Sequence, residues 1–231
     1  MNLPFSIFSK PKEPTVSDLK LYGFSVSPHV RAARIAFQEK RLGIDYQEVS
    51  LDHLKTDAYA RINPLRKIPA LVHGELTLFE TPALLVYADG IGSGPALIPS
   101  DATQAARMWQ FVGLAQTQLY PVGAMTLYFH AVLAGVFGMA PDPEAGAAAI
   151  PPTALHLDLL EAGLHDGWLA GGGLSLADLY CGAMVDYVER ARDGRALIDA
   201  RPRVRAWLDA LQARDSFKMT VSPLLSGTDQ V

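Results

Sequence analysis

Every stretch of this 231-residue chain that reads as a β-strand lies before Gly90, and beyond Ser100 only helical patterns remain. A chain divided this way does not carry one sheet from end to end. It folds as a small α/β unit followed by an all-helical one. The first unit opens on Leu19-Lys20-Leu21-Tyr22-Gly23, where apolar and polar residues alternate and a glycine ends the run. Ser27-Pro28 then starts a helix that reaches about Lys40: serine suits the N-cap, and proline at the first helical position gives up no needed hydrogen bond. Tyr46 to Leu51 reads as a second strand, and a polar stretch to Arg66 holds one short helix around Asp57 to Ile62. Residues 69–72 and 76–79 are apolar runs joined by His73-Gly74-Glu75, a hairpin signal. Thr81-Pro82 repeats the hydroxyl-then-proline opening and carries a helix to about Ala88.

The order β-α-β-α-β-β-α within residues 18–90 is that of a thioredoxin-like unit, too small for a doubly wound nucleotide domain. Residues 91–100, rich in Gly, Ser and Pro, are expected to be a linker, and residues 101–231 an α-helical bundle domain. Its helices read as Thr103 to Phe137 with Pro121 as a kink or break, Thr153 to Leu169, Leu176 to Ala191 and Pro202 to Ala213, with a loop over Pro141 to Pro152. Residues 1–17 hold three prolines, lack the order of a signal peptide, and read as an arm.

Composition removes several function classes. The net charge of -4, from 20 basic and 24 acidic side chains, offers no nucleic acid or membrane surface as the main partner. The longest apolar run, Ala131 to Ala140, is broken by Gly135 and Gly138 and is short of the ~20 residues that span a bilayer. Cys181 is the only cysteine and sits inside a helical pattern, so no internal disulfide forms, and a cytoplasmic, reducing home is expected. The six histidines fall at no ligand spacing, and no metal site is expected.

Four short motifs remain, each with an ordinary structural reading. Ser25-Val26-Ser27-Pro28-His29-Val30-Arg31 is a serine turn, and Ser27 serves as a plain N-cap. Asn63-Pro64-Leu65-Arg66-Lys67-Ile68-Pro69-Ala70-Leu71 is a proline-punctuated loop before an edge strand. Glu80-Thr81-Pro82 is a capped helix start. Ser175-Leu176-Ala177-Asp178-Leu179 is a capping box, Ser175 with Asp178, flanked by apolar residues placed for a staple. In this order and spacing, the four together resemble the glutathione transferase superfamily over Leu19 to about Leu211. The turn resembles the serine-type branches, theta-like and phi-like, and lacks the cysteine that other branches place there.

That resemblance implies a function and its residues. Ser27, or failing it Ser25, would donate a hydrogen bond to the sulfur of glutathione, the co-substrate, and hold it as thiolate. Pro69 matches the family's cis-proline, which leaves the Ile68 backbone to pair with the cysteinyl residue. Glu80 and Thr81 match the acidic-hydroxyl pair on the γ-glutamyl end, Lys67 matches another glutathione contact, and His53 or Lys55 would meet the glycyl carboxylate. Phe24, Trp109, Phe111, Tyr120, Tyr128 and Phe129 are candidates for the pocket of a hydrophobic electrophilic small molecule. The implied activity is alkyl or aryl transfer to glutathione, as in detoxification, by a homodimer. Glutathione-dependent ether cleavage, isomerisation, peroxide reduction, or a non-catalytic binding protein on the same fold are the alternatives.

Overall fold

The computed structural model describes residues 18–225, so the expected N-terminal arm lies outside the described residues. Four strands, β1 (Leu19–Gly23), β2 (Asp45–Glu48), β3 (Ala70–His73) and β4 (Leu76–Phe79), form one sheet in the order β2-β1-β3-β4. Helix α1 (Pro28–Glu39) crosses between β1 and β2, which therefore run parallel, with Leu21 opposite Tyr46. The other two pairings are antiparallel, with Leu21 opposite Leu71 and Leu71 opposite Leu78. Only Gly74 and Glu75 separate β3 from β4, and Gly74 takes φ 59°, the left-handed backbone that a two-residue hairpin asks for.

Alternation along the strands decides what each face meets. Leu19, Leu21 and Leu71 bury against Ala33 and Phe37 of α1 and Leu84, Leu85 and Ala88 of α4 (Thr81–Ile91). Tyr22 and Ala70, one step out of phase, turn the other way and meet Leu54 and Tyr59. These belong to two helical turns, α2 (Leu51–Leu54) and α3 (Asp57–Ala60). The second strand thus stops at Glu48, short of Leu51, because Ser50 caps α2 by accepting from the His53 N–H at 3.1 Å. At Gly23 a Cβ would stand 2.4 Å from Val30, so α1 lies as close to β1 as it does only because that residue has no side chain.

The helical half is built on α5 (Ala102–Leu114), which runs on through Ala115–Leu133 to α6 (Ala134–Val136). The helix does not break at Pro121. Instead Ala115–Leu133 is wound as a π-helix, in which the Ala134 N–H reaches back five residues to the Phe129 carbonyl. In tighter α-winding the Pro121 ring would strike the carbonyl four residues before it, and the wider turn relieves that clash. Over Ala102–Val136 this helix is long and apolar enough to cross a membrane by length and composition. Here it packs against α9 (Leu176–Glu189), and its Met108, Phe111, Val112 and Leu119 lie in the core.

The expected loop over 141–152 is mostly helical: α7 (Pro143–Ala148) and α8 (Ile150–Gly163) occupy it. Asp142 caps α7 by accepting from the Ala145 N–H at 3.0 Å. Pro143, Pro151 and Pro152 all stand in first turns, where a missing N–H costs nothing. Helix α8 ends at Gly163, short of Leu169, and a tight turn pairs His165 with Trp168. Three more helices close the fold: α10 (Arg192–Asp199), α11 (Pro202–Gln212) and α12 (Asp215–Lys218).

Helix α9 is the spine, buried from Leu176 to Val188. Its capping box forms as expected, with Asp178 Oδ2 accepting from the Ser175 N–H at 2.8 Å and the Ser175 hydroxyl at 2.7 Å. Asp178 Oδ1 accepts further bonds from the Leu169 N–H and the Trp207 indole. The two halves join along α1. Arg31 pairs with the buried Asp186 of α9, whose other oxygen accepts from Gln212 at 2.9 Å. Glu39 takes two bonds of 2.7 Å from Arg214. These contacts fix the mouth of α1 against the helical half, and that fixes the site.

Candidate functional site

Three loops at the ends of strands converge where α1 and α4 begin. The first follows β1. Ser27 has extended backbone, φ -85° and ψ 124°, and its hydroxyl accepts from the Val30 N–H at 3.4 Å, the N-cap bond of α1. Ser25, two residues earlier, is spoken for. Its N–H donates to both carboxylate oxygens of Glu48, at 2.9 and 3.1 Å, and its hydroxyl accepts from buried Ser222 at 3.0 Å.

The second loop precedes β3. Asn63 is 2% exposed and accepts from the Leu65 N–H at 3.0 Å, while its amide donates to the Lys67 carbonyl at 2.8 Å. The Tyr59 hydroxyl donates to the same carbonyl, also at 2.8 Å. Arg66 takes φ 54°, and its guanidinium donates to the carbonyls of Leu54 and Thr56. So held, the chain enters the cis Ile68–Pro69 bond, and the Ile68 N–H and C=O have no partner among the described residues.

The third loop joins β4 to α4. Glu80 is the N-cap residue with φ 69°, and Thr81 is the first helical residue, so the cap stands one position earlier than Thr81-Pro82 suggests. Glu80 makes no side-chain cap. Its carboxylate instead accepts from Gln116 of the helical half at 3.3 Å.

Between these loops lies a cleft of about 450 Å3. It is lined by His29 of α1, Leu54, Asn63, Arg66, Lys67, Ile68 and Pro69 of the second loop, Glu80 and Thr81 of the third, and Gln116 and Tyr120 of the helical half. Of the residues singled out in the sequence, Lys67, Ile68, Pro69, Glu80, Thr81 and Tyr120 come together here. Ser27 stands just outside the lining, at the cap of the helix whose second residue is His29.

Other expected members fall elsewhere. His53 and Lys55 do not line the cleft; Leu54 between them does, because in a helical turn neighbouring side chains point apart. His53 borders a separate recess with Tyr22, Gln47 and Glu48, and Lys55 pairs in solvent with Asp52 at 3.0 Å. Trp109 is 41% exposed on the outer side of α5. Phe111 belongs to the core. Tyr128 is fully buried among Val26, Tyr187, Val132 and Leu225, with Phe24 and Phe129 packed on that cluster. Tyr128 is thus a packing residue: its ring meets Tyr187 edge to face, with centroids 5.1 Å apart.

His29, Gln116, Asn63, Arg66 and Leu54 were not singled out for the site. His29 is the notable one. Burial holds its pKa down, at about 4, its Nδ1 lies 2.8 Å from the Tyr180 hydroxyl, and its ring lies 4.0 Å from that of Tyr120. Cys181 is buried, where burial pushes its thiol pKa well up, and its sulfur donates to the Phe111 carbonyl. Among the described residues no three His, Cys, Asp or Glu side chains gather as a metal set.

Chemically, the cleft offers an open backbone edge at Ile68, a helix N-terminus at Thr81, a carboxylate at Glu80 and a cation at Lys67. An extended peptide with a carboxylate and an ammonium at one end suits it.

Known proteins give this geometry relatives. The family profile described as "Glutathione S-transferase, N-terminal domain" matches residues 21–96, and "Glutathione S-transferase, C-terminal domain" matches residues 147–210. The chain is 33% identical to glutathione S-transferase 3 of Zea mays over 218 residues, covering 90% of this chain and 96% of that one. It is 30% identical to glutathione S-transferase theta-1 of Mus musculus, covering 91% of this chain and 90% of that one. It superposes on the solved structure of a glutathione S-transferase-I bound with lactoylglutathione with a TM-score of 0.81 and 25% identity, covering 89% of this chain and 99% of that one.

Proposed function

This chain belongs to the glutathione S-transferase family, and from that premise we propose that its cleft holds glutathione and keeps the thiol ionised for attack on a hydrophobic electrophile. The observation that carries the reading is the meeting of Lys67, Ile68, Pro69, Glu80 and Thr81 around one cleft at the mouths of two helices. Each part of the tripeptide has a complement there. The γ-glutamyl carboxylate meets the Thr81 hydroxyl at the positive end of α4, and its ammonium meets Glu80. The cysteinyl backbone pairs with the N–H and C=O of Ile68 as an added strand. Lys67 offers a cation to the peptide's remaining carboxylate. The sulfur then lies toward the cap of α1, within reach of the Ser27 hydroxyl.

A free thiol has a pKa of about 8.5, so only a few per cent is thiolate at neutral pH. A hydrogen bond to a charged group contributes about 1.5–3 kcal/mol, and a helix N-terminus about 0.3–1 kcal/mol more. At about 1.4 kcal/mol per pKa unit, the two effects bring most of the thiol into its reactive form near neutrality. The Ser27 oxygen accepts from the Val30 N–H while its proton points at the sulfur, so capping and catalysis do not compete. In the reaction the sulfur forms a bond to carbon, the leaving group departs with its electron pair, and the thiol proton passes to solvent.

The reading includes a cytoplasmic homodimer. The lone buried cysteine suits a reducing compartment, and the exposed Leu65, Trp109 and Leu159 supply apolar surface for a second copy. The test is retention on immobilised glutathione, release by free glutathione, and turnover of an activated aryl halide. A chain that is not retained and does not turn over would favour the non-catalytic binding protein.

A further inference from the structure

One half-buried polar group at the cleft has no part in the mechanism above. His29 is the second residue of α1, two positions beyond Ser27, and its ring is both packed against Tyr120, at a 50° tilt, and bonded through Nδ1 to the Tyr180 hydroxyl. Its Nε2 has no protein partner among the described residues, although the ring lines the cleft. We propose that His29 is a second hydrogen-bond donor to the glutathione sulfur, with its Nε2–H aimed into the cleft by Tyr180 and Tyr120. This rests on the glutathione reading and deepens it, by adding to the thiolate site a residue that acts beside Ser27.

Three physical points fix the donor form. First, the imidazole is neutral: burial disfavours its charged form, and the positive end of α1 does the same. A neutral imidazole carries one ring proton. Second, that proton sits on Nε2. Burial raises the Tyr180 pKa, so the phenol stays protonated, and a phenol O–H is a stronger donor than a neutral ring N–H. The phenol therefore donates to Nδ1 and leaves the proton on the far nitrogen. The Thr81 side chain reaches the same phenol, which ties the γ-glutamyl end of the cleft to the His29 ring. Third, the ring cannot swing away. Tyr120 lies against it with centroids 4.0 Å apart, and Tyr180 holds its edge at 2.8 Å.

The remaining charged groups at the cleft are Arg66 and Lys67 from the loop before β3 and Glu80 from the end of β4, with Gln116 bonded to Glu80. A neutral N–H donor stabilises an anion beside a helix N-terminus without the extra proton that an imidazolium would offer back to the sulfur. His29 with so low a pKa is a poor base near pH 7, so its role is to hold the anion and not to remove the proton.

The test reads the thiolate directly, by ultraviolet absorbance of enzyme-bound glutathione titrated against pH. His29→Phe keeps a flat ring on Tyr120 and removes both nitrogens. It should move the thiol titration up by about one pH unit, a tenfold fall in the thiolate-to-thiol ratio at a given pH, the loss of one charge-assisted hydrogen bond. Affinity for S-methylglutathione, which has no thiol, should stay within about twofold of wild type, a split that a merely structural role would not produce. Tyr180→Phe removes the hydroxyl that sets the tautomer, along with its contact to Thr81, and leaves the His29 ring in place. It should shift the titration the same way by less, and it decides the matter alone if His29→Phe does not fold. A titration of His29→Phe that overlays wild type, or an unshifted Tyr180→Phe where that variant stands alone, overturns the proposal while leaving the glutathione reading intact. A wild-type protein with no bound thiolate overturns both.

Discussion

Ser27→Ala separates what the hydroxyl does for the fold from what it does for the sulfur. In the fold, the Ser27 oxygen accepts one bond, from the Val30 N–H at 3.4 Å, a long one for an N-cap. Its loss should cost about 0.5–1 kcal/mol, the lower part of the range for removing a cap. That leaves the protein folded at room temperature. At the sulfur, the lost bond goes to a charged group and is worth about 1.5–3 kcal/mol; the few per cent of thiolate that an unaided thiol keeps at neutral pH limits the fall in kcat/KM there to about tenfold to thirtyfold. The deficit also has a shape. As pH rises past about 8.5 the unaided thiol ionises by itself, and the variant should regain most of the lost rate. The assay is kcat/KM for an activated aryl halide at saturating glutathione across pH, beside urea melts of both proteins. An unchanged rate, or a loss that is uniform across pH, would refute the reasoning, since neither is what removal of a thiolate donor produces.

Ser25→Ala should leave turnover within about twofold of wild type and cost about 1 kcal/mol in a urea melt, because its hydroxyl is engaged with buried Ser222. Asp178→Ala should be among the most damaging single changes. It leaves the Ser175 and Leu169 N–H groups and the Trp207 indole buried without an acceptor, at about 1–3 kcal/mol each, and a melt within about 1 kcal/mol of wild type would count against the capping box as the anchor of α9. Acid should loosen the joint between the halves. Burial raises the pKa of both Glu39 and Asp186, but the hydrogen bonds and charges of Arg214 and Ser216 on the first, and of Arg31 on the second, outweigh it and hold both below the ordinary value. A depressed carboxylate stabilises the fold above its unfolded pKa and loses that contribution as pH falls through the folded one, so stability should decline from about pH 4 downward. Glu39→Gln should flatten part of that decline in urea melts taken across pH, and an undiminished slope would remove Glu39 from the account.

The parts of the site that were legible in the sequence are those set by neighbours along the chain. Ser27-Pro28, Lys67-Ile68-Pro69 and Glu80-Thr81 lie within short motifs whose local geometry follows from residue type, and the Ser175–Asp178 box is local in the same way. What could not be read depends on contacts far apart in sequence. His29 gains its environment from Tyr120 and Tyr180, and Gln116 matters only because Glu80 lies across from it. The long helix misled for a different reason. Trp109 and Tyr120, eleven residues apart, fall within about 20° of each other on an α-helix. Yet Tyr120 lines the cleft and Trp109 faces solvent, because the winding widens at Ala115 between them. No residue pattern announces that change, although Pro121 marks where tight winding fails. In the α7 region the prolines suggested a loop, but they stand at helix starts, where proline fits as well as it does in a turn.

A crystal structure grown with glutathione measures the central point without an intermediary. The account predicts the γ-glutamyl end at Glu80 and Thr81, the cysteinyl backbone paired with Ile68, and the sulfur within hydrogen-bonding distance of the Ser27 hydroxyl. A tripeptide bound outside this cleft, or bound in it with the sulfur turned away from the mouth of α1, would contradict it.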